Sequence, residues 1–390
     1  MESMSKDQSG HPSTEQSTIS RRQFFQRMGV TVAGLVMAGC QASGTEGFAP
    51  TETFIPPESP AGTASSGGIK PVVAIAKANS YDPALLLKQV QTLLESIGGV
   101  NDILAHGARV AIKVNLTGGI SAHPLPGTTE IETYLTHPAV VLALCKLLRD
   151  AGAKDLFIVE AAYEKASWPA YGYEAMAQSI GATLVDLTYA DPYKDFATTP
   201  TPGKPFIYDH FTFNPILNEV DAFISVSKMK CHSTAGVTHT MKNLFGLVPY
   251  RFYTLKNGDT NRSAFHGQSG ETGTRLPEVI MDLNRARPIN LSLIDGIKTT
   301  EGGEGPWVTS MAPIKPGLLF AGKNPVATDA IATAAMGYNP DAEYPHEPFI
   351  HAHNHIKLAN QLGLGPNRVD DINVVGESLK DVTIPFKASI

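Results

Sequence analysis

Two stretches of this 390-residue chain concentrate side chains that can do chemistry. The first runs from Ser227-Lys-Met-Lys-Cys-His232 to Thr238-His-Thr-Met-Lys-Asn-Leu-Phe-Gly246. Lys228, Lys230 and Lys242 offer positive charge to a carboxylate or phosphate. Thr238 opens a segment that, as a helix start, presents backbone N–H groups to an anion. Lys230, His232, His239 and Lys242 are the candidate catalytic, acid–base groups. Lys113, Asn115, Lys228, Thr238 and Asn243 are the candidate substrate contacts. A solvated loop with helix caps is the plainer alternative for this stretch.

The second stretch is Asp295-Gly-Ile-Lys-Thr-Thr-Glu301-Gly-Gly-Glu304-Gly-Pro306. Carboxylates in a glycine-rich loop suit a hard divalent cation such as Mg²⁺ or Ca²⁺, or acid–base work, and glycine permits close backbone approach. Asp295, Glu301 and Asp329 are the candidate metal ligands. The alternatives are a surface loop with unrelated acids, and an Asp329 that only favours the N-terminus of its helix. His351-Ala-His353-Asn-His355 also has ligand-type residues. As a strand it aims all three rings to one side; as a helix only His351 and His355 share a face. Nucleophile-elbow, P-loop, Rossmann and HExxH patterns are absent from the sequence, which disfavours several familiar enzyme classes.

These residues must be positioned by the elements around them. Apolar runs at 72–76, 110–114, 156–159, 183–186, 221–226, 289–294, 317–320 and 371–375 read as strands. Helical periodicity appears at 83–96, 137–152, 173–180 and 324–337. Strands alternate with helices, which predicts an α/β fold: a mostly parallel sheet with helices on both faces and antiparallel additions, 206–213 among them. Lys113, Asn115, Glu160, Lys228, Lys230, His232 and Asp295 all fall at or just after predicted strand ends, the edge where open parallel sheets bind ligands. The polar stretch 257–274, with His266, reads as a mobile loop.

The N-terminus carries an address. Ser20-Arg21-Arg22-Gln-Phe-Phe25 precedes an apolar run, 28–38, too short for a confident membrane span. The order matches a twin-arginine signal, which makes the Tat translocase the expected export partner. The run closes Leu35-Val-Met-Ala-Gly-Cys40, similar to a lipobox, so Cys40 is the expected lipidation site and membrane tether. Residues 1–40 are thus read as signal, 41–70 as a Ser/Thr/Gly/Pro-rich disordered linker, and 71–390 as the folded domain at the outer face of a membrane, in the periplasm or on the cell surface. A net charge of −6 with no long basic run excludes nucleic acid as the first partner to consider. Apart from Cys40, only Cys145 and Cys231 remain, so no iron–sulfur cluster is expected; Cys145 reads as a buried small residue.

The chemical segments also resemble a known family. Lys113-Val-Asn115, Thr136-His-Pro138, Gly152-Ala-Lys154, Lys228–His232, Lys242-Asn-Leu-Phe-Gly246, Asp295-Gly296, Glu301-Gly-Gly-Glu-Gly-Pro306 and Asn324-Pro-Val-Ala-Thr-Asp329 together resemble the DUF362 family of bacterial and archaeal proteins. The resemblance runs over about 72–375 and implies no established reaction. Some relatives carry a ferredoxin-like iron–sulfur module, whose cysteines this chain lacks. The α/β architecture of lactate-racemase-like proteins is a fainter, fold-level likeness, from which no nickel chemistry is carried over. Two functions follow as expectations. One is a metal-assisted enzyme acting on a small anionic substrate, with Lys230→Ala and Asp295→Ala abolishing turnover in an intact fold. The other is a cell-envelope protein that binds a ligand or metal without turnover.

Overall fold

Alternation along the strands builds this fold. In β1 (Val72–Lys77), Val73 and Ile75 join one hydrophobic cluster while Ala74 and Ala76 join another. In β2 (Arg109–Lys113), Ala111 faces the first cluster, and Val110 and Ile112 the second. Successive side chains of a strand point to opposite faces, so a sheet apolar on both sides must be covered twice. Helices α1 (Pro83–Ser96), α2 (Pro138–Asp150) and α3 (Tyr173–Ile180) cover one face. Helices α4 (Thr272–Ala286), α5 (Pro325–Ala335) and α6 (His355–Gln361) cover the other. The computed structural model describes residues 69–256, 259 and 261–389. The segments read as signal (1–40, with Cys40) and as linker (41–70) lie outside the described residues, apart from 69 and 70.

The remaining strands are β3 (Asp155–Glu160), β4 (Thr183–Asp186), β5 (Ala197–Pro200), β6 (His210–Phe213), β7 (Ala222–His232), β8 (Gly236–Val237), β9 (Leu291–Glu301), β10 (Ala312–Ile314), β11 (Leu318–Gly322) and β12 (Asn373–Gly376). The main sheet runs β12-β1-β11-β9-β7-β2-β3-β4. Its neighbours pair in parallel except at β11, which is antiparallel to both β1 and β9. Short β8 and β10 add antiparallel to β7 and β9, and β5 and β6 form a small separate sheet. The fold is therefore the expected mixed α/β architecture. Among the described residues, no helix is long and apolar enough to cross a membrane.

Local signals explain the elements that frame the site. Helix α1 starts at Pro83, with Asp82 Oδ1 accepting from Leu85 N at 2.8 Å, and buries Leu86, Val90, Leu93 and Leu94 at helical spacing. Burying such a side chain is worth about 1.5–3 kcal/mol. Helix α5 starts at Pro325 with Asn324 Oδ1 accepting from Ala327 N at 2.9 Å. Cys145 is buried within α2, as its apolar context implies.

Two expectations need correction here. Strand β7 does not end at 226 but continues to His232, so Lys228 and Lys230 lie in the sheet and not in a following loop. They extend the Ala222-Ile224-Val226 row by the two-residue period, which put a strand reading in conflict with their charge. Likewise β9 runs through Asp295 to Glu301, so only the Gly302–Pro306 end of the acidic segment is irregular. The stretch read as a mobile loop contains a helical turn, Ser263–His266, and the start of α4.

Candidate functional site

Strands β9, β7, β2 and β3 are neighbours and parallel, so their C-terminal ends emerge together. A register shift between Lys228 and Lys230 of β7 sets Lys228 beside Asp295 and Lys230 beside Thr300. The chemistry-bearing residues collect at this edge in three groups.

The first group is an ion pair. Lys113 Nζ donates to Glu160 Oε2 at 3.0 Å, Val114 O at 2.6 Å and Asn243 Oδ1 at 3.2 Å. Glu160 Oε2 also accepts from Leu116 N at 2.9 Å. Asn243 Oδ1 accepts from Asn115 Nδ2 at 2.9 Å, and its amide donates to Ser225 Oγ at 3.1 Å. Gly246 explains the end of the Lys-Asn-Leu-Phe-Gly motif: a Cβ there would collide with the Glu160 carboxylate and stand 2.6 Å from Lys113 Nζ. The second group is Lys228 Nζ with Asp295 Oδ2 at 2.9 Å, Tyr81 O–H at 3.0 Å and Ile131 O at 3.2 Å. Asp295 also accepts from the backbone of His137 and Ile297, and the Tyr81 ring stacks on His137 with centroids 3.7 Å apart. Burial pushes Lys113 and Lys228 down, and their carboxylates pull them back up. Each lysine has a full set of acceptors, so both pairs are internally satisfied.

The third group is not. Lys230, 1 % exposed, donates to Asn115 Oδ1 at 3.0 Å, Tyr134 O at 2.6 Å and Glu304 O at 3.1 Å, all uncharged acceptors. Lys242, 8 % exposed, has neither a hydrogen-bond acceptor nor a carboxylate partner among the described residues; its Nζ lies 3.9 Å from the centroid of the Phe245 ring. Arg262 is buried and donates to Val248 O at 3.0 Å and Ala161 O at 3.2 Å. Facing them is Glu304, which accepts from Ser233 N at 2.7 Å, Ser233 Oγ at 3.1 Å and Trp307 Nε1 at 2.8 Å.

Burial pushes both Lys230 and Lys242 down to about 7 against the pull of Glu304; Lys242 and Lys228 push Lys230 further, and Arg262 and Lys113 do the same to Lys242. Burial alone would raise Glu304, yet the electrostatic pull of His232 and the Ser233 and Trp307 donors hold it at about 2. His232 Nδ1 stands 3.9 Å from Glu304 but accepts from Thr234 N at 3.1 Å and Ala235 N at 3.2 Å. Two N–H groups aimed at Nδ1 put the ring proton on Nε2 and leave the imidazole neutral, in line with its pKa falling well below the ordinary value on burial. The Ser233 and Trp307 donors therefore carry the Glu304 shift. His266 is likewise held neutral, at about 4, by burial and Lys242. When protonated, Lys230 and Lys242 thus share the pull of Glu304, while the other carboxylate acting on Lys230, Glu160, is already paired with Lys113.

The candidate metal ligands do not come together. Asp295 is occupied by Lys228. Asp329, buried at the start of α5, accepts from Thr240 N, Thr240 Oγ1 and Met241 N at 2.5–2.9 Å and locks the His239–Lys242 turn. Glu301 accepts from Lys387 N at 2.9 Å and holds the C-terminal segment. Among the described residues no group of three His, Cys, Asp or Glu side chains is placed to hold a metal ion. The sequence spacing brought these acids near in the chain, but strand alternation and the helix start turn them to different partners.

Other candidates also separate. Thr238 makes no side-chain cap, and its N–H donates to Lys230 O at 3.0 Å. His239 is buried at φ 43°, a left-handed conformation, and interacts with His355 instead of the lysines; neither ring nitrogen of either histidine has a partner. His351 and His353 are exposed, so the His351–His355 triplet does not converge. The structure brings together Lys113, Asn115, Lys230, His232, Lys242 and Asn243. It adds Glu160, Arg262, His266 and Glu304 to them. Glu160 at a strand end and Glu304 in the Gly-Gly-Glu-Gly segment both sat in stretches marked as chemical; Arg262 had no such signal. A shallow cleft of about 340 Å³ near Lys77, Lys298 and Lys315 contains none of Lys230, Lys242 or Glu304. It is lined by lysines at the surface and does not reach the unbalanced charge.

Fold and site define an α/β protein with a cluster of buried lysines at the C-terminal edge of its sheet. Residues 110–334 match the family described as Domain of unknown function (DUF362), and the chain belongs to that family. A thylakoid-associated protein of Synechocystis sp. is 28% identical over 273 residues, covering 69% of this chain and 75% of the relative. The lactate racemase apoprotein of Thermoanaerobacterium thermosaccharolyticum aligns with a TM-score of 0.35 at 12% identity, over 63% of this chain and 54% of that one. A Thermotoga maritima protein aligns with a TM-score of 0.33 at 12% identity, over 61% and 55%. This chain thus spans about half the length of those two solved structures.

Proposed function

We propose that this protein is an enzyme that binds a small anionic substrate at the Lys230–Lys242–Glu304 cluster and transfers a proton there. One observation carries the reading. Buried lysines normally have a counter-charge, as Lys113 and Lys228 do, whereas Lys230 and Lys242 make no ion pair among the described residues and share the pull of Glu304, with Arg262 adding positive charge near Lys242. A carboxylate or phosphate entering the cluster supplies the missing negative charge. His232, His266 and Asn115 are partly exposed and mark its solvent side. Lysines poised at about 7 are matched to acid–base work near neutral pH.

Export by the Tat route and lipid attachment at Cys40 belong to the same proposal and rest on the signal-like N-terminus. A relative named for its association with thylakoids accords with work at a membrane surface. The test is titration with oxalate, sulfate and phosphate, followed by product analysis with hydroxy and oxo acids. Wild-type binding that is lost in Lys242→Met supports the site. Binding without any product in the whole acid series turns the reading into that of a capture protein. Anion affinity equal in wild type and Lys242→Met removes the site altogether.

A further inference from the structure

We propose that Lys242 is a nucleophilic amine that condenses with the carbonyl of a small oxo acid to form an imine. The proposal rests on the anion-site reading and names its substrate class. Four lysines are buried at this sheet edge. Lys113, Lys228 and Lys230 each donate to three oxygens. Lys242 donates to none among the described residues and lies over the Phe245 ring at 3.9 Å. An ammonium placed only to balance charge is expected to be coordinated like the other three. An amine that must offer a lone pair has to be free of acceptors and able to lose its proton.

The surroundings support both needs. The Phe245 face favours the ammonium, but burial outweighs it, and Arg262 and Lys113 add positive charge nearby, which leaves the amine at about 7. A substantial fraction is therefore neutral near physiological pH. Arg262 offers a positive partner to the substrate carboxylate, and Lys230 joins it when protonated. Neutral His232 and ionised Glu304 stand beside Lys242 to move protons.

The step balances without an added oxidant or reductant. The Nζ lone pair attacks the carbonyl carbon, and the C=O π electrons become an alkoxide that takes a proton, giving a carbinolamine. A further proton on the carbinolamine hydroxyl releases it as water, and the Nζ lone pair closes the protonated imine C=Nζ–H⁺. The protonated imine then withdraws electrons from the adjacent C–H or C–COO⁻ bond, which suits proton transfer or decarboxylation of an oxo acid.

The test is reductive trapping. The full chain is incubated with pyruvate or glyoxylate and sodium cyanoborohydride, digested, and mapped by mass spectrometry. The expected result is a reduced adduct on the peptide containing Lys242, diminished by excess oxalate. Lys242→Arg keeps a positive charge and should lose the adduct while still binding oxalate. If that variant does not fold, the wild-type peptide map decides alone. Labelling confined to exposed lysines, or absent while oxalate still binds, overturns the imine and leaves the anion site standing. Absence of both labelling and oxalate binding ends both readings.

Discussion

Anion binding at this site should be coupled to proton uptake. Lys230 and Lys242 sit at about 7 because burial penalises two ammonium groups that share the pull of Glu304. A bound carboxylate adds the missing charge and moves both pKa values back towards the ordinary lysine value. At about pH 8 each free amine is roughly one-tenth protonated, so binding draws in about 0.9 proton per lysine. Affinity should then fall about tenfold per pH unit above about 7 for each lysine engaged, and approach a hundredfold if both must be charged. Oxalate and sulfate are suitable probes because neither titrates in this range. Calorimetry at about pH 8 in two buffers of different ionisation enthalpy reads the proton number directly, since the apparent enthalpy shifts by that number times the buffer difference. Lys242→Arg, which still binds oxalate but carries a charge that does not titrate in this range, should reduce the uptake by about one proton. An oxalate affinity that is flat from about pH 6 to about pH 9, with no buffer dependence, refutes the reasoning.

Further outcomes follow from the same geometry. Asp295→Ala leaves Lys228 buried without its partner, so it should cost about 3–5 kcal/mol in urea unfolding, in contrast to the intact fold that the sequence alone led us to expect. A variant as stable as wild type contradicts the pairing. Glu301→Ala loses one hydrogen bond to Lys387 N, about 1 kcal/mol, and should leave oxalate affinity unchanged; a marked affinity loss restores Glu301 to the site. His239 and His355 are held neutral at about 3 by burial, below the ordinary 6.5, so the unfolded chain binds more protons between these values. Their contribution to stability is complete above about 6.5 and lost as pH falls towards about 3, on the order of 2 kcal/mol each by about pH 5. His355→Leu should flatten that acid slope, read from urea unfolding at the two pH values; an unchanged slope shows that His355 does not titrate this way. Gly246→Ala should disrupt the Lys113–Glu160 pair and lower the unfolding midpoint, whereas a wild-type midpoint means the backbone yields.

Much of the architecture was legible in the chain. Runs such as 183–186 and the 83–96 and 173–180 helices coincide with observed elements because their signals are local: an apolar period, Asp82 before Pro83, Gly181 after Ile180. Strands β7 and β9 were read too short, because lysines and acids ordinarily end a buried strand. Here they continue it, since each charge finds a partner on another strand or loop. The candidate list was also legible by type and by position at strand ends. The division of labour within it was not.

By itself the sequence determined that an α/β sheet would gather Lys113, Lys228, Lys230 and Asp295 at one edge, because parallel strands linked by helices all end on the same side. It determined the residue types available there, and the signal-like N-terminus of the chain. Only the tertiary structure decided which charges cancel. Lys228 with Asp295 and Lys113 with Glu160 become satisfied pairs, Asp329 locks a turn, and Lys242 is left over a ring beside Glu304. Charge compensation depends on distances across strands 47 to 130 residues apart in the chain, such as Lys113 to Glu160 and to Asn243, and no local pattern encodes them.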